Sequence, residues 1–237
     1  MLFRSIAAIL AGAGAALAQA PPQPAYETRA DHDPEGIGKF YFGREIAQTM
    51  GPGGIPWLDR PERAEEERPD IVIAAMDPKP GDVVADLGAG SGYFSFRIAP
   101  KVAPGGKVLA VEIQDEMLGA IRARATELKS TNVEAVKGTE TDPMLPEKGV
   151  DMVLMVDVYH ELANPLEVMR KVVASLKPGG RVVFVEYRKE DPSVPIKELH
   201  KMALAQLDLE MHAVGLVRTR TIETLPMQHI AIFTLAR

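Results

Sequence analysis

Val83-Val84-Ala85-Asp86-Leu87-Gly88-Ala89-Gly90-Ser91-Gly92-Tyr93 is the stretch whose conformation sets the fold. Its first five residues form a short, β-branched-rich apolar run, and three glycines at alternate positions follow. Missing side chains there let the backbone approach a ligand, and the helix start beyond the turn offers unpaired N–H groups to receive it. Glycine triplets alone are weak signals. Two features sharpen this one: Asp86 precedes the first glycine, and Glu112 lies 20 residues beyond Gly92 at the carboxyl end of the next predicted strand. A carboxylate in that place can accept both hydroxyls of a ribose. Taken singly, Asp86 also reads as a turn or cap carboxylate, and Glu112 as a solvated strand end.

Outward from this turn, short apolar runs alternate with helical stretches. Residues 83–87, 108–111, 133–136, 152–156 and 182–185 lack in/out alternation, as parallel strands covered on both faces do. Between them, Met117, Leu118, Ile121, Ala125 and Leu128 recur at helical spacing, as do Leu166, Met169, Val172, Val173 and Leu176. The second predicted helix has Asn164, Pro165 and Glu167 in cap, first-turn and capping-box positions. Pro104-Gly105-Gly106 and Pro178-Gly179-Gly180 each follow a helix and precede a basic residue and a strand ending in Glu, an internal echo of repeated αβ units. The pattern predicts an α/β fold, a doubly wound Rossmann-like sheet in a three-layer αβα arrangement. Beyond it, Pro192 and Pro195 lead into a helix striped by Leu204, Leu207, Met211 and Val214. Residues 217–222 and 229–235 then read as two strands close enough to pair antiparallel.

Residues 36–60 mix Phe40, Tyr41, Phe42 and Trp57 with Gly36, Gly38, Gly43, Gly51, Gly53 and Gly54. Bulky rings on permissive backbone predict an irregular arm folded over something else, not a strand or a long helix. From Asp59 as cap, with Pro61 in its first turn, a helix is predicted to run to Met76. Glu62 and Glu65 to Glu67 lie near its positive end, and Ile71, Val72, Ala75 and Met76 form its apolar stripe. Residues 19–29 hold Pro21, Pro22 and Pro24 without apolar periodicity and read as a flexible tether. Before them, Arg4, the apolar run 6–17 and Ala16-Leu17-Ala18 have the layout of a secretory signal cleaved after Ala18. Cleavage after Ala20 would place Pro21 beside the scissile bond. The apolar run is shorter than the roughly 20 residues that cross a bilayer as a helix, so no stable membrane span is expected after cleavage.

Composition narrows the chemistry. Of 237 residues, 46% are hydrophobic and 25% charged, which excludes a disordered chain. The net charge is -6 with no basic block, which argues against nucleic acid and for small-ligand partners. The absence of cysteine removes disulfides, zinc-thiolate sites, iron-sulfur clusters and thiol nucleophiles together. No carboxylate and His cluster shows metal-ligand spacing along the chain, so no metal site is expected.

With these motifs in order, the chain resembles the class I S-adenosylmethionine (SAM)-dependent methyltransferases from about Asp59 to its C-terminus. Asp86-x-Gly88-x-Gly90-x-Gly92 matches the family's first motif, Glu112 its acidic second-strand end, and Gly138-Thr139-Glu140-Thr141-Asp142-Pro143, loosely, its segment after the third strand. The fourth strand and its loop fall at 151–162, and the Leu-Lys-Pro-Gly-Gly turn at 176–180. The resemblance implies SAM as cofactor, a seven-stranded sheet with the last strand antiparallel, and cofactor contacts from Asp86, Gly88, Ala89, Gly90, Gly92, Tyr93, Glu112, Thr139, Glu140 and Asp157. It divides the chain into signal peptide 1–18, tether and aromatic arm 19–58, and methyltransferase domain 59–237. A dinucleotide-dependent oxidoreductase is the structural rival. Its glycines are spaced G-x-G-x-x-G, however, and Asp86 would repel a pyrophosphate while it can hold the ammonium of a methionine moiety.

Methyl transfer needs alignment of donor and acceptor and, for some acceptors, removal of a proton. His160, leaving the fourth strand at its carboxyl end, is the candidate base, with Glu161 to orient it and Tyr159 against the adenosine or the acceptor. The structural alternative is that His160 and Glu161 cap the following helix or pair with a basic side chain. Of the other histidines, His200 beside Lys201 is the one placed near a pocket, though it reads more readily as a surface residue. The acceptor pocket is expected beneath the arm and the insertion 188–215, the arm's rings serving either as a stacking surface or as core. Two functions fit: methyl transfer to a small molecule, or a non-catalytic SAM- or nucleoside-binding module. Location follows the N-terminus, periplasmic if the signal is cleaved and cytosolic if it is not.

Overall fold

The computed structural model describes residues 25–236, so the predicted signal peptide and the first part of the tether lie outside the described residues. Strands β1 (Tyr26–Thr28), β2 (Gly36–Tyr41) and β3 (Arg44–Ala47) come first, followed by helices α1 (Ile55–Leu58), α2 (Arg63–Glu67) and α3 (Pro69–Met76). The α/β alternation then runs β4 (Val83–Leu87), α4 (Ser95–Val102), β5 (Lys107–Glu112), α5 (Asp115–Glu127), β6 (Val133–Lys137), β7 (Val150–Val156), α6 (Pro165–Ser175) and β8 (Leu176–Arg188). The chain ends with β9 (Lys201–Met202), α7 (Leu204–His212), β10 (Leu216–Ile222) and β11 (Gln228–Leu235).

The main sheet has the order β10-β11-β8-β7-β4-β5-β6, with the two-residue β9 added beside β8. Strands β4 to β8 are mutually parallel and β11 is antiparallel to both neighbours, as the C-terminal hairpin predicted. Successive strand residues serve opposite faces. Ala85, Val153, Phe184 and Phe233 pack with Met169 and Val172 of α6 and Leu207 and Met211 of α7. Val84, Val108, Leu154 and Val183 pack with Val72 and Met76 of α3 and Ile98 and Val102 of α4. Burial on both faces is why these runs read as unbroken apolar stretches. The winding reverses between β4 and β7, and in such sheets ligands bind outside the carboxyl ends at that point.

Several expectations need correction. The arm is a three-stranded antiparallel sheet, and its β1 occupies residues read as tether. Phe42 and Gly43 both have positive φ (47° and 81°), the two-residue hairpin turn that suits a right-twisted ribbon. The neighbouring glycines do not end the strand: Gly38, at φ 68°, lies where its pairing with β3 shifts register, and Gly36 admits a carboxylate. A Cβ on Gly36 would lie 2.0 Å from Glu45 Oε1, which instead accepts the Gly38 N–H at 3.2 Å. The predicted helix 59–76 is two short ones, α2 and α3, because Arg68 precedes Pro69 and a residue before proline is driven out of the helical region; Arg68 sits at φ 45°. Asp59 is the C-terminal cap of α1 instead of the N-cap of the helix that follows. Asn164 occupies its cap position without capping: its Oδ1 accepts from Lys39 Nζ at 2.7 Å, and Glu167 accepts from Tyr26 Oη at 2.5 Å. Both bonds fasten the small sheet to α6. Leu128 is exposed, and β8 begins before Pro178-Gly179-Gly180, which makes an irregularity in its pairing with β7. Among the described residues, no helix is long and apolar enough to cross a membrane.

Candidate active site

Beyond Leu87 the chain turns through Gly88, Gly90 and Gly92, with φ of 73°, 55° and 79°. Space as well as conformation requires glycine here. A Cβ on Gly88 would lie 2.5 Å from a Val158 methyl, and one on Gly90 would lie 2.7 Å from Leu58 Cδ1. At Gly92 it would strike Phe96 at 2.8 Å, with Ile121 behind, so this glycine seats the loop against α4 and α5. The Gly88 and Ala89 N–H groups donate to Val111 O at 2.9 and 3.0 Å. Glu112 closes the turn: one oxygen accepts from the Gly90 N–H at 3.1 Å, the other from Ile113 and Gln114 N–H at 2.6 and 3.1 Å.

A cavity of about 730 Å³ opens at these strand ends, within the roughly 300–1,000 Å³ of small-molecule sites. It is lined by the glycine turn, Asp86, Glu112 and Asp157, by Met50 and Trp57 of the arm, and by Ile196 and His200 of the segment after β8.

One side of the cavity is acidic. Asp86 is buried, its Oδ2 accepts from Ser95 Oγ at 2.6 Å, and burial pushes its carboxyl up to about 6 despite that bond and the Arg63 charge. Asp157 holds φ 53°, a left-handed conformation uncommon outside glycine. Its Oδ2 accepts from Gln228 Nε2 at 2.6 Å, while its buried Oδ1 has no partner. Burial first, then the charges of Glu67 and Glu186, hold its pKa well above the carboxylate range. Arg63 is the counter-charge. Its Nε donates to Glu67 at 2.8 Å, and its guanidinium lies 4.3 Å from the centre of the Tyr93 ring, whose buried hydroxyl also lacks a partner. A buried polar group left unpaired costs about 1–3 kcal/mol. A cationic donor bound against Asp157 relieves that cost.

A histidine cluster forms another part of the cavity wall. The exit from β7 is a 3-10 turn, Tyr159–Glu161. His160 is buried, with Nδ1 2.5 Å from Glu186 Oε2, and the Tyr159 N–H donates to Glu186 Oε1 at 2.9 Å. With its Nδ1 proton on the Glu186 side, His160 keeps a lone pair at Nε2. That atom is 3.1 Å from His200 Nδ1. Glu161 Oε1 is 3.2 Å from His200 Nδ1 and 3.8 Å from His160 Nε2, and Glu161 Oε2 accepts from the Met50 N–H at 3.1 Å. Arg44 of β3 donates to His160 O at 3.2 Å and forms a two-pronged pair with buried Glu210 at 2.8 and 2.9 Å, fixing the turn from the arm side.

Residues 78–224 match the family described as a methyltransferase domain. The chain belongs to that family. Among its relatives, the chloroplastic 2-phytyl-1,4-beta-naphthoquinone methyltransferase of Arabidopsis thaliana is 30% identical over 53% of this chain and 49% of its own length. The protein-L-isoaspartate O-methyltransferase of Methanopyrus kandleri is 33% identical over 48% of each. The chain thus spans about half the length of these curated relatives. A solved SAM-dependent methyltransferase from Aquifex aeolicus superposes with a TM-score of 0.75 at 26% identity, over 79% of this chain and all of that one.

Of the residues expected to contact the cofactor in this methyltransferase domain, Asp86, Gly88, Ala89, Gly90, Tyr93, Glu112, Thr139, Glu140 and Asp157 line the one cavity, and Gly92 stands behind it as a packing residue. His160 and Glu161 line it as well. Tyr159 does not: it is wholly buried, its hydroxyl donates to Glu210 at 2.7 Å, and its ring meets Phe184 edge-on. Glu186, not Glu161, is the carboxylate on His160 Nδ1. The spacing of carboxylates and histidines along the sequence does not show that His200 comes beside His160 and Glu161 across 39 residues. Tyr41 is core with Ile46 and Leu166, whereas Trp57 is exposed at the cavity. Sequence reading missed Arg63, Glu67 and Glu186. For Glu186 a signal existed: it follows Pro178-Gly179-Gly180 as Glu112 follows Pro104-Gly105-Gly106.

Proposed function

We propose that the protein is a SAM-dependent methyltransferase acting on a small-molecule acceptor. Asp157 Oδ1, buried and unpartnered next to a glycine turn closed by Glu112, carries this reading. SAM supplies an electrophilic methyl group on a sulfonium. Asp86 and Asp157 are the carboxyl groups to hold its ammonium, whose charge favours their ionised forms, with Arg63 for its carboxylate and Glu112 for its ribose hydroxyls, while Thr139 and Glu140 line the stretch where adenine belongs. The glycine turn keeps this wall free of side chains. At the other end, His160 Nε2 is the base that receives a proton from the acceptor, and Glu186 stabilises the resulting imidazolium. The quinone methyltransferase relative supports a small-molecule acceptor, and His160 and Glu161 line the same cavity as the cofactor residues.

The test is label transfer from methyl-labelled SAM to a panel of hydroxyquinones, phenols and small amines. Transfer that His160→Ala abolishes is the expected result; tight S-adenosylhomocysteine (SAH) binding with no transfer to any member would leave a non-catalytic binding module. The reading includes export to the bacterial periplasm, on the layout of residues 1–18. N-terminal sequencing of the native protein should find Gln19 first; Met1 first would place the protein in the cytosol.

A further inference from the structure

We infer that His160, Glu161 and His200 form a site for a divalent first-row cation, zinc by its donor set, at the acceptor end of the cavity. Their three donor atoms form a triangle with edges of 3.1, 3.2 and 3.8 Å. Metal–donor bonds of about 2.0–2.1 Å in tetrahedral array place donors about 3.3 Å apart, so the triangle fits an ion with little adjustment. Two imidazoles and one carboxylate, with a fourth position open, are the ligand type of catalytic zinc sites. All three residues line the cavity, which gives that fourth position to solvent or ligand.

A second observation separates this cluster from a chance grouping of polar side chains. Metal-binding histidines characteristically give their other ring N–H to a carboxylate, which fixes tautomer and ring orientation. Glu186, fully buried, does this for His160 at 2.5 Å and leaves Nε2 as the free donor. Glu161 is oriented in the same way, its outer oxygen tied to the Met50 N–H while Oε1 points to the two histidines. Without an ion, the cluster is a hydrogen-bonded relay in which His160 serves as base. With one, His160 is a ligand, and an acceptor O–H bound at the open position releases its proton to water more readily than when free. This role for the ion rests on the methyl-transfer reading, while the site itself does not.

The mature protein, stripped with a chelator, is titrated with zinc chloride by calorimetry and with cobalt chloride by visible absorption, and SAH binding is measured in parallel. One equivalent of zinc should bind, and cobalt should develop the intense visible bands of a low-coordinate site. His200→Ala, at a side chain 21% exposed, should weaken zinc about 100-fold and remove the cobalt bands without changing SAH affinity. Glu186→Gln should weaken zinc about 10- to 100-fold. If circular dichroism shows either variant misfolded, His200→Gln replaces it. SAH binding with no stoichiometric metal, or with metal binding that His200→Ala leaves intact, overturns the metal site and spares the cofactor reading. Stoichiometric metal with no SAH binding does the reverse.

Discussion

The turn proposed to seat the cofactor comes from one unbroken stretch, residues 86–93, together with Glu112, with Arg63, Thr139, Glu140 and Asp157 added around it, whereas the proposed acceptor half gathers Met50, His160, Glu161, Glu186 and His200 from four separated segments. The first half works through backbone: positive φ, absent Cβ atoms and N–H groups, which leave a pattern in the local sequence. The second works through side chains that meet only when the sheet, the small β1–β3 sheet and the segment before β9 are assembled. A glycine turn can therefore be shared across a family while the acceptor end is rebuilt, and mutations in the two halves should separate cofactor binding from turnover.

The largest separation is expected at His160. His160→Asn should lower turnover by about 10²- to 10⁴-fold while SAH affinity, measured by calorimetry, changes little; an equal loss of both would mean that the halves are not independent. Next comes the strut between the small sheet and the histidine turn. Arg44→Ala strands buried Glu210, a type of loss worth about 3–5 kcal/mol. It should lower Tm on the order of 10 °C, and an unchanged melting curve would show that the arm does not support the site.

How far each half could be read from sequence follows the same division. The alternation of strands and helices, the C-terminal hairpin and the glycine turn beside Glu112 follow from local patterns, whereas the order of the strands in the sheet does not. The β2–β3 hairpin was concealed because Gly36 and Gly38 suit a strand only once Glu45 lies over them. The break at Arg68 was visible in the following proline, and Tyr159 could not be told from a cavity residue because its partner, Glu210, lies 51 residues away. His200 looked like a surface residue for the same reason: what surrounds it comes from β7 and its exit turn.

A smaller effect sharpens the electrostatics of the cofactor half. Asp86 titrates at about 6 in the free protein, above its unfolded value near 3.9. Its contribution to stability is therefore fully present below pH 4 and lost as pH rises through 6. Ligand binding has the opposite dependence, since Asp86 must ionise to hold a cation, with Arg63, Ser95 and Glu112 as its neighbours. SAH affinity should be about tenfold weaker at pH 5 than at pH 7; a flat profile would remove Asp86 from the ammonium site. The smallest expected change is at Trp57, exposed at the cavity with Arg60 stacked 3.6 Å from its ring centre. Trp57→Ala should leave stability within about 0.5 kcal/mol and SAH affinity intact, yet raise the acceptor KM severalfold in steady-state kinetics.

The most direct measurement is calorimetric titration of the mature protein with SAH and, separately, with NAD, repeated on Asp86→Asn. One equivalent of SAH should bind, NAD should not, and Asp86→Asn should weaken SAH by about 100-fold while leaving the fold at least as stable above pH 6. Binding of NAD in place of SAH, or SAH binding indifferent to Asp86→Asn, would contradict a cofactor held between the glycine turn and its flanking carboxylates.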